Sequence, residues 1–127
     1  MRVLLIRPPS QCISGQVEPS ADLPLGCLYI AGMLEASGHE VSVLDCQLYN
    51  DGLPKWKWGD REMFGTPWNT VETEIREYSP DLVGISNQFT LQLDSALKVA
   101  EVVKRVNPNI ISVVGGNHAS VFPKTFF

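Results

Sequence analysis

The sequence predicts a doubly wound α/β fold, with a parallel sheet held between two helical layers (three-layer α/β/α). Two observations carry this. Four short apolar runs recur along the chain, Val3-Leu4-Leu5-Ile6, Val41-Ser42-Val43-Leu44, Leu82-Val83-Gly84-Ile85 and Ile110-Ile111-Ser112-Val113-Val114. Segments with helical spacing lie between them, so the order reads βαβ-loop-αβαβ, and each crossover is right-handed onto a parallel sheet. Three runs are nearly continuous in apolar residues, as expected of strands covered on both faces. Val41-Ser42-Val43 alternates and fits a more exposed edge.

The first helix is expected to start near Pro24, with Ile30, Met33, Leu34 and Ser37 at helical spacing, and to stop at Gly38, a residue suited to the left-handed C-terminal cap. The second runs from about Pro67 to Tyr78 with Trp68, Val71, Ile75 and Tyr78 on one stripe, after Thr66 as an N-cap and before Pro80. In the third, Leu93, Ala96, Leu97, Ala100 and Val103 form an apolar face. Asp94/Lys98 and Glu101/Arg105 make i,i+4 pairs opposite it, and Pro108 ends the helix. Placing the edge-like second strand outside the first gives strand order 2-1-3-4. The switch point then falls between the first and third strands, and a ligand is expected across Arg7 to Ser10 and Ser86 to Thr90 at their carboxyl ends.

With 127 residues, 44% hydrophobic and 19% charged, the chain fits one ordinary globular domain. A formal charge of -4 leaves no basic field for nucleic acid or anionic lipid, so no nucleic-acid partner is expected. Cys12, Cys27 and Cys46 form no C-x-x-C pair and lack metal-ligand spacing to a His. The opening apolar run ends at Arg7-Pro8-Pro9, and no stretch approaches the roughly 18 apolar residues of a membrane span. A cytoplasmic protein without a membrane partner is expected. The stretch from about Gln47 to Gly65 reads as a long irregular connection. Its Trp56, Trp58 and Phe64, with Trp68, either form an interface for a further domain or a homodimer, or fold back over the sheet edge. The chain stops at Pro123-Lys124-Thr125-Phe126-Phe127, where a helix after the fourth strand is due and before any fifth strand. Residues 1–127 are therefore read as the N-terminal fragment of a longer protein.

Each candidate motif has a structural reading beside the functional one. Gly115-Gly116-Asn117 follows the fourth strand, where glycines let the backbone approach a ligand and leave amides free, or simply make a tight strand-to-helix turn. Ser86-Asn87-Gln88-Phe89-Thr90 stands at the switch point and can bind a ligand, cap the third helix, or do both. Arg7-Pro8-Pro9-Ser10 makes a stiff exit from the first strand, either the rim of a cleft or a structural turn. His39 lies at the sheet end away from the ligand edge and reads as a solvated turn residue. His118 lies on the ligand edge without a carboxylate or Cys near it in sequence, so no catalytic or metal role is assigned. Asp45 could reach a ribose hydroxyl only alongside a G-x-G-x-x-G after the first strand, which is missing. The candidate cofactor-binding residues are Pro9, Ser10, Ser86, Asn87, Gln88, Thr90, Gly115, Gly116 and Asn117.

Several pieces then line up: Val3 to Pro9, Leu23-Pro24-Leu25-Gly26-Cys27-Leu28-Tyr29-Ile30-Ala31, Gly38-His39-Glu40-Val41, Pro80 to Ser86, Asn107-Pro108-Asn109-Ile110, and Val114 to Ser120. In this order and spacing the chain resembles the N-terminal cobalamin-binding-like domain of class B radical S-adenosylmethionine enzymes, the group that includes the anaerobic magnesium-protoporphyrin IX monomethyl ester cyclase. The resemblance implies a flavodoxin-like or Rossmann-like sheet with cobalamin on the carboxyl ends of its strands. It places the nucleotide tail against Ser86 to Thr90 and Gly115-Gly116. It also implies that a further radical domain, the partner of this one, holds a [4Fe-4S] cluster through C-x3-C-x2-C and binds S-adenosylmethionine. That motif does not occur here, so this fragment by itself is expected not to be catalytic.

Cobalamin domains of the methionine synthase and mutase kind carry D-x-H-x-x-G after the first strand, and here that segment is Arg7-Pro8-Pro9-Ser10-Gln11-Cys12. A His-ligated cobalt is excluded there. Cobalamin held without a His competes with a domain that keeps the fold but has lost the cofactor and serves as an interaction module. The Gly38-His39-Glu40-Val41 turn also occurs in the N-terminal half of two-domain glycosyltransferases, which usually open with a Gly-rich loop that is missing here. A receiver-type signalling module needs an acidic pair after the first strand and an Asp ending the third, where Arg7-Pro8 and Ser86 stand.

Overall fold

The computed structural model describes residues 1–12, 22–48 and 55–127. Its main sheet holds β1 (Arg2–Arg7), β3 (Glu40–Asp45), β6 (Leu82–Ser86) and β7 (Ile111–Gly115) in the order β3-β1-β6-β7, all parallel. In order of the four predicted runs this is 2-1-3-4, and the order reverses between β1 and β6 as expected of a doubly wound sheet. The helices are α1 (Leu25–Ala36), α2 (Trp68–Tyr78), α3 (Leu93–Val106) and the short α4 (Asn117–Val121).

Alternation along the strands divides the core into two layers. Leu4, Ile6, Val83 and Ile85 meet Val71 and Ile75 of α2 and Ala96, Val99, Val102 and Val103 of α3 on one face. Val3 and Leu5 meet Cys27 and Ala31 of α1 on the other. Glu72 of α2 joins the two helices of the larger layer, bonding Arg105 of α3 at 2.6 Å and Arg76 of its own helix at 2.7 Å.

The helices keep their predicted places with local corrections. In α1 the buried positions are Cys27 and Ala31, with Leu34 packed beside them, whereas Ile30 and Met33 are exposed. The helix is apolar all round, so periodicity could not choose its inner face. Gly38 does follow it with φ +86. Thr66 is not the cap of α2. Pro67 stands there, and the Thr66 N–H donates instead to the Cys46 carbonyl at 2.8 Å. In α3 the inner face is rotated toward Val99 and Val102, and Leu97 is exposed. Asp94 does not pair with Lys98. It reaches Arg61 at 2.6 Å, and Lys98 pairs with Glu101.

The largest correction concerns the stretch read as an irregular connection. Residues 49–54 lie outside the described residues, but β4 (Trp56–Trp58) and β5 (Arg61–Phe64) form an antiparallel hairpin. A third strand, β2 (Ser10–Gln11), adds to it as the chain leaves β1. The signal was present: Trp56 and Trp58 alternate around Lys57, and Gly59-Asp60 is a two-residue turn in which Gly59 takes φ +63.

This small sheet is anchored at Cys46, which is fully buried. The Cys46 N–H donates to the Arg7 carbonyl at 2.9 Å, extending the main ladder. Gly65, at φ +99, lies so close to the Cys46 carbonyl that no side chain fits. The Trp56 indole donates to the Gly65 carbonyl at 2.9 Å, and Trp56 and Trp58 set their rings edge-on to Trp68 at 5.6 and 5.1 Å. The described tryptophans therefore fold back onto α2.

Two predictions test this packing. Ile75→Ala should cost about 3 kcal/mol by the cavity it leaves, while Ile30→Ala on the outer side of α1 should cost about 0.5 kcal/mol or less, both read from urea unfolding. Burial pushes the Cys46 thiol up to about 12, with the Thr66 hydrogen bond a weaker opposing influence. The unfolded thiol loses its proton near 9.0. Between those values the unfolded state binds fewer protons than the folded one, so stability falls as pH rises. Cys46→Ala should remove up to about 1.4 kcal/mol per pH unit of that slope, measured as the wild-type-minus-variant difference in unfolding free energy.

Candidate functional site

The carboxyl ends of β1, β6 and β7 carry the predicted site residues, and the structure brings most of them together. Ser86 and Gly115 are register partners across β6 and β7. The Asn87 N–H donates to the Gly115 carbonyl at 2.7 Å, and the Asn87 carbonyl accepts the His118 N–H at 3.2 Å. These two bonds bind the loop after β6 to the turn after β7. Gln88 and Thr90 on one loop and Gly115, Gly116 and Asn117 on the other are exposed, so both loops present a polar rim.

The two glycines are not equivalent. Gly116 has φ +108, and a Cβ there would meet the Asn87 carbonyl oxygen at 2.5 Å. Its lack of a side chain serves contact between the loops. Gly115 is extended, and a Cβ built on it meets nothing within 4 Å. Its missing side chain leaves space open to a ligand.

Asn87 is fully buried. Its side-chain amide donates to the Phe89 carbonyl at 3.0 Å, while its Oδ1 is buried without a partner. An orphaned acceptor beneath an exposed polar rim is expensive unless a donor reaches it. Ser86 points to the α1 side, where its hydroxyl hydrogen-bonds Cys27. Burial pushes that thiol up, and the Ser86 bond only partly offsets it.

Pro9 and Ser10 take another course. Pro9 is buried beside Gly65, and Ser10 pairs with Phe64 in the small sheet, because the chain turns from β1 directly into β2. The loop after β1 therefore backs the site through the small sheet, and β2 touches the turn Thr90–Gln92. Arg7 sits at the switch point and holds Asp22 at 2.9 Å and Asp45 at 3.4 Å. The Arg7 hydrogen bond draws the Asp22 carboxyl below its usual range. Asp45 also accepts the Gln47 N–H at 3.0 Å, which commits its carboxylate within the protein.

His39 lies at the far end of the sheet, 3.4 Å from the amino terminus. Sequence reasoning placed His118 on the ligand edge but missed its partners, Thr90 and Thr125, which stand 28 and 7 residues away in sequence. Among the described residues no group of three or more His, Cys, Asp or Glu can hold a metal ion, and no helix is long and apolar enough to cross a membrane.

The B12 binding domain family matches residues 22–127. The chain is 33% identical over 127 residues to the cytidylyl-2-hydroxyethylphosphonate methyltransferase of Streptomyces wedmorensis, covering 97% of this chain and 23% of that protein. It is 28% identical over 124 residues to an uncharacterized methyltransferase of Pyrococcus horikoshii, covering 98% and 23%. It is 29% identical over 121 residues to the anaerobic magnesium-protoporphyrin IX monomethyl ester cyclase of Rubrivivax gelatinosus, covering 94% and 19%. The chain thus spans less than a quarter of the length of these relatives.

The contrast between the glycines makes a direct prediction. Gly116→Val should destabilise the fold by about 3 kcal/mol or more through its φ and its contact with Asn87. Gly115→Val should stay within about 1 kcal/mol of wild type, since a β-branched residue suits an extended strand end. Thermal unfolding of the two variants checks the order.

Proposed function

The chain belongs to the B12-binding domain family, and from that premise we propose that it is the N-terminal cobalamin-holding module of a larger radical S-adenosylmethionine enzyme. The observation that carries this reading is the open carboxyl edge of β6 and β7, where Gly115 leaves space beside exposed Gln88, Thr90 and Asn117 and above the unpartnered Asn87 Oδ1. The donor set fits the group. A corrin with amide side chains brings the hydrogen-bond donors that Asn87 Oδ1 lacks and the flat apolar edges that glycine backbone can approach.

No imidazole of this chain is placed to ligate the cobalt. His39 is at the opposite sheet end, and both ring nitrogens of His118 face threonine hydroxyls. The module therefore holds the cofactor by its periphery. Gly115 admits it, Gln88, Thr90 and Asn117 orient its polar side chains, and the Asn87–Gly116 contact keeps the two loops in register. The Arg7 guanidinium stays with Asp22 and Asp45 and braces the switch point. When bound, cobalamin supplies methyl-group or one-electron chemistry at cobalt that no side chain here can perform.

The relatives support the wider reading. Two are named methyltransferases and one a cyclase, all far longer than this chain. We place the [4Fe-4S] cluster, S-adenosylmethionine and the chemical step in the parent's radical domain, which is this module's partner. A methyltransferase or the cyclase would use the module in the same way.

Equilibrium dialysis against hydroxocobalamin tests the site. The chain should bind weakly, with Kd of about 1–100 µM, because an open sheet edge covers one side of a cofactor only. Gly115→Val should weaken binding at least tenfold while its stability stays within about 1 kcal/mol of wild type. No binding up to about 1 mM, or equal binding by Gly115→Val, would reject the site.

A further inference from the structure

His118 is 6% exposed, at the point where three segments meet. Its Nδ1 lies 3.1 Å from the Thr90 hydroxyl and its Nε2 lies 3.4 Å from the Thr125 hydroxyl. Phe122 and Phe126 flank the ring, with centroids 5.3 and 6.2 Å away. The polarity of the network follows from one further bond. The Thr125 hydroxyl donates its single proton to the Phe122 carbonyl at 2.7 Å. Toward His118 it can only accept, so Nε2 carries the imidazole hydrogen, and in the uncharged ring Nδ1 is an acceptor. With the ring uncharged, the Thr90 hydroxyl turns its proton inward and keeps its lone pairs to accept.

We propose that His118 is a positioning residue that acts through Thr90. It pins the loop after β6 at the rim and makes the Thr90 hydroxyl an acceptor, selecting amide N–H or hydroxyl donors of a ligand and offering no hydrogen to a phosphate. This rests on the cofactor reading for the identity of the ligand, but the hydrogen-bond polarity stands on the chain alone.

Two measurements decide it. Long-range 15N NMR of the labelled chain, with His39→Gln to assign the signals, should show the Nε2–H tautomer at His118. The Nδ1–H tautomer would overturn the proposal. Hydroxocobalamin dialysis then separates positioning from simple support. His118→Ala should weaken binding about tenfold. In His118→Asn the side-chain oxygen can accept from Thr90 in place of Nδ1, and affinity should return to within about threefold of wild type. In His118→Gln the amide reaches toward Thr125 rather than Thr90, and affinity should stay low. Affinities that merely follow the melting temperatures of the variants would assign His118 a structural role and reject the proposal. If His118→Ala does not fold, the Asn and Gln variants and the tautomer still decide. If the wild-type chain binds no hydroxocobalamin, the cofactor reading fails, and the tautomer alone judges the His118–Thr90 polarity.

Discussion

Where the chain leaves β7, Gly116 lies against the backbone of Asn87 so closely that a side chain would strike the Asn87 carbonyl. Much of the site depends on that approach. It lets the His118 N–H reach the Asn87 carbonyl, and it seats α4 so that the His118 ring comes under Thr90. The parallel ladder has already set Ser86 beside Gly115. The exposed rim is thus the product of two glycines with different duties, one for internal contact and one for open space.

A second constraint ties the small antiparallel sheet to the large parallel one. The Cys46 peptide continues the ladder on its N–H side through Arg7 and takes the Thr66 N–H on its carbonyl side. Gly65 allows the close pass. Arg61 then reaches Asp94 on α3, so the hairpin is held at both ends. The small sheet backs the β1 exit, which is why Pro9 is buried when a sequence reading would place it on the rim. Charge plays a similar local part at the switch point, where the Asp22 and Asp45 carboxylates share one Arg7 guanidinium.

The strands, their parallel order and the switch point were legible in the sequence. Buried parallel strands need continuous apolar runs, crossover handedness is fixed, and a weakly apolar strand goes to an edge. The rule fails at β7, whose continuous run also lies at an edge and leaves Ile111 and Val113 half exposed. The hairpin was missed, although alternating Trp56 and Trp58 before Gly59-Asp60 carried its signal within the long segment around it. The inner face of α1 was not legible. Leu25, Tyr29, Ile30 and Met33 are as apolar as the residues that face the sheet, and only the sheet chooses among them.

What the sequence determined by itself, then, is the class of fold and the edge at which a ligand belongs, because both follow from local hydrophobic period and chain order. Tertiary structure decided which group does what at that edge. Gly115 and Gly116 are chemically identical neighbours, told apart by φ and by what lies beyond each Cα. The hydrogen-bond partners of the His118 ring are two threonines that arrive from positions 28 residues before and 7 after. Hydrogen-bond direction in that network depends on where the Thr125 proton goes, which is a property of three segments meeting and of no single one of them.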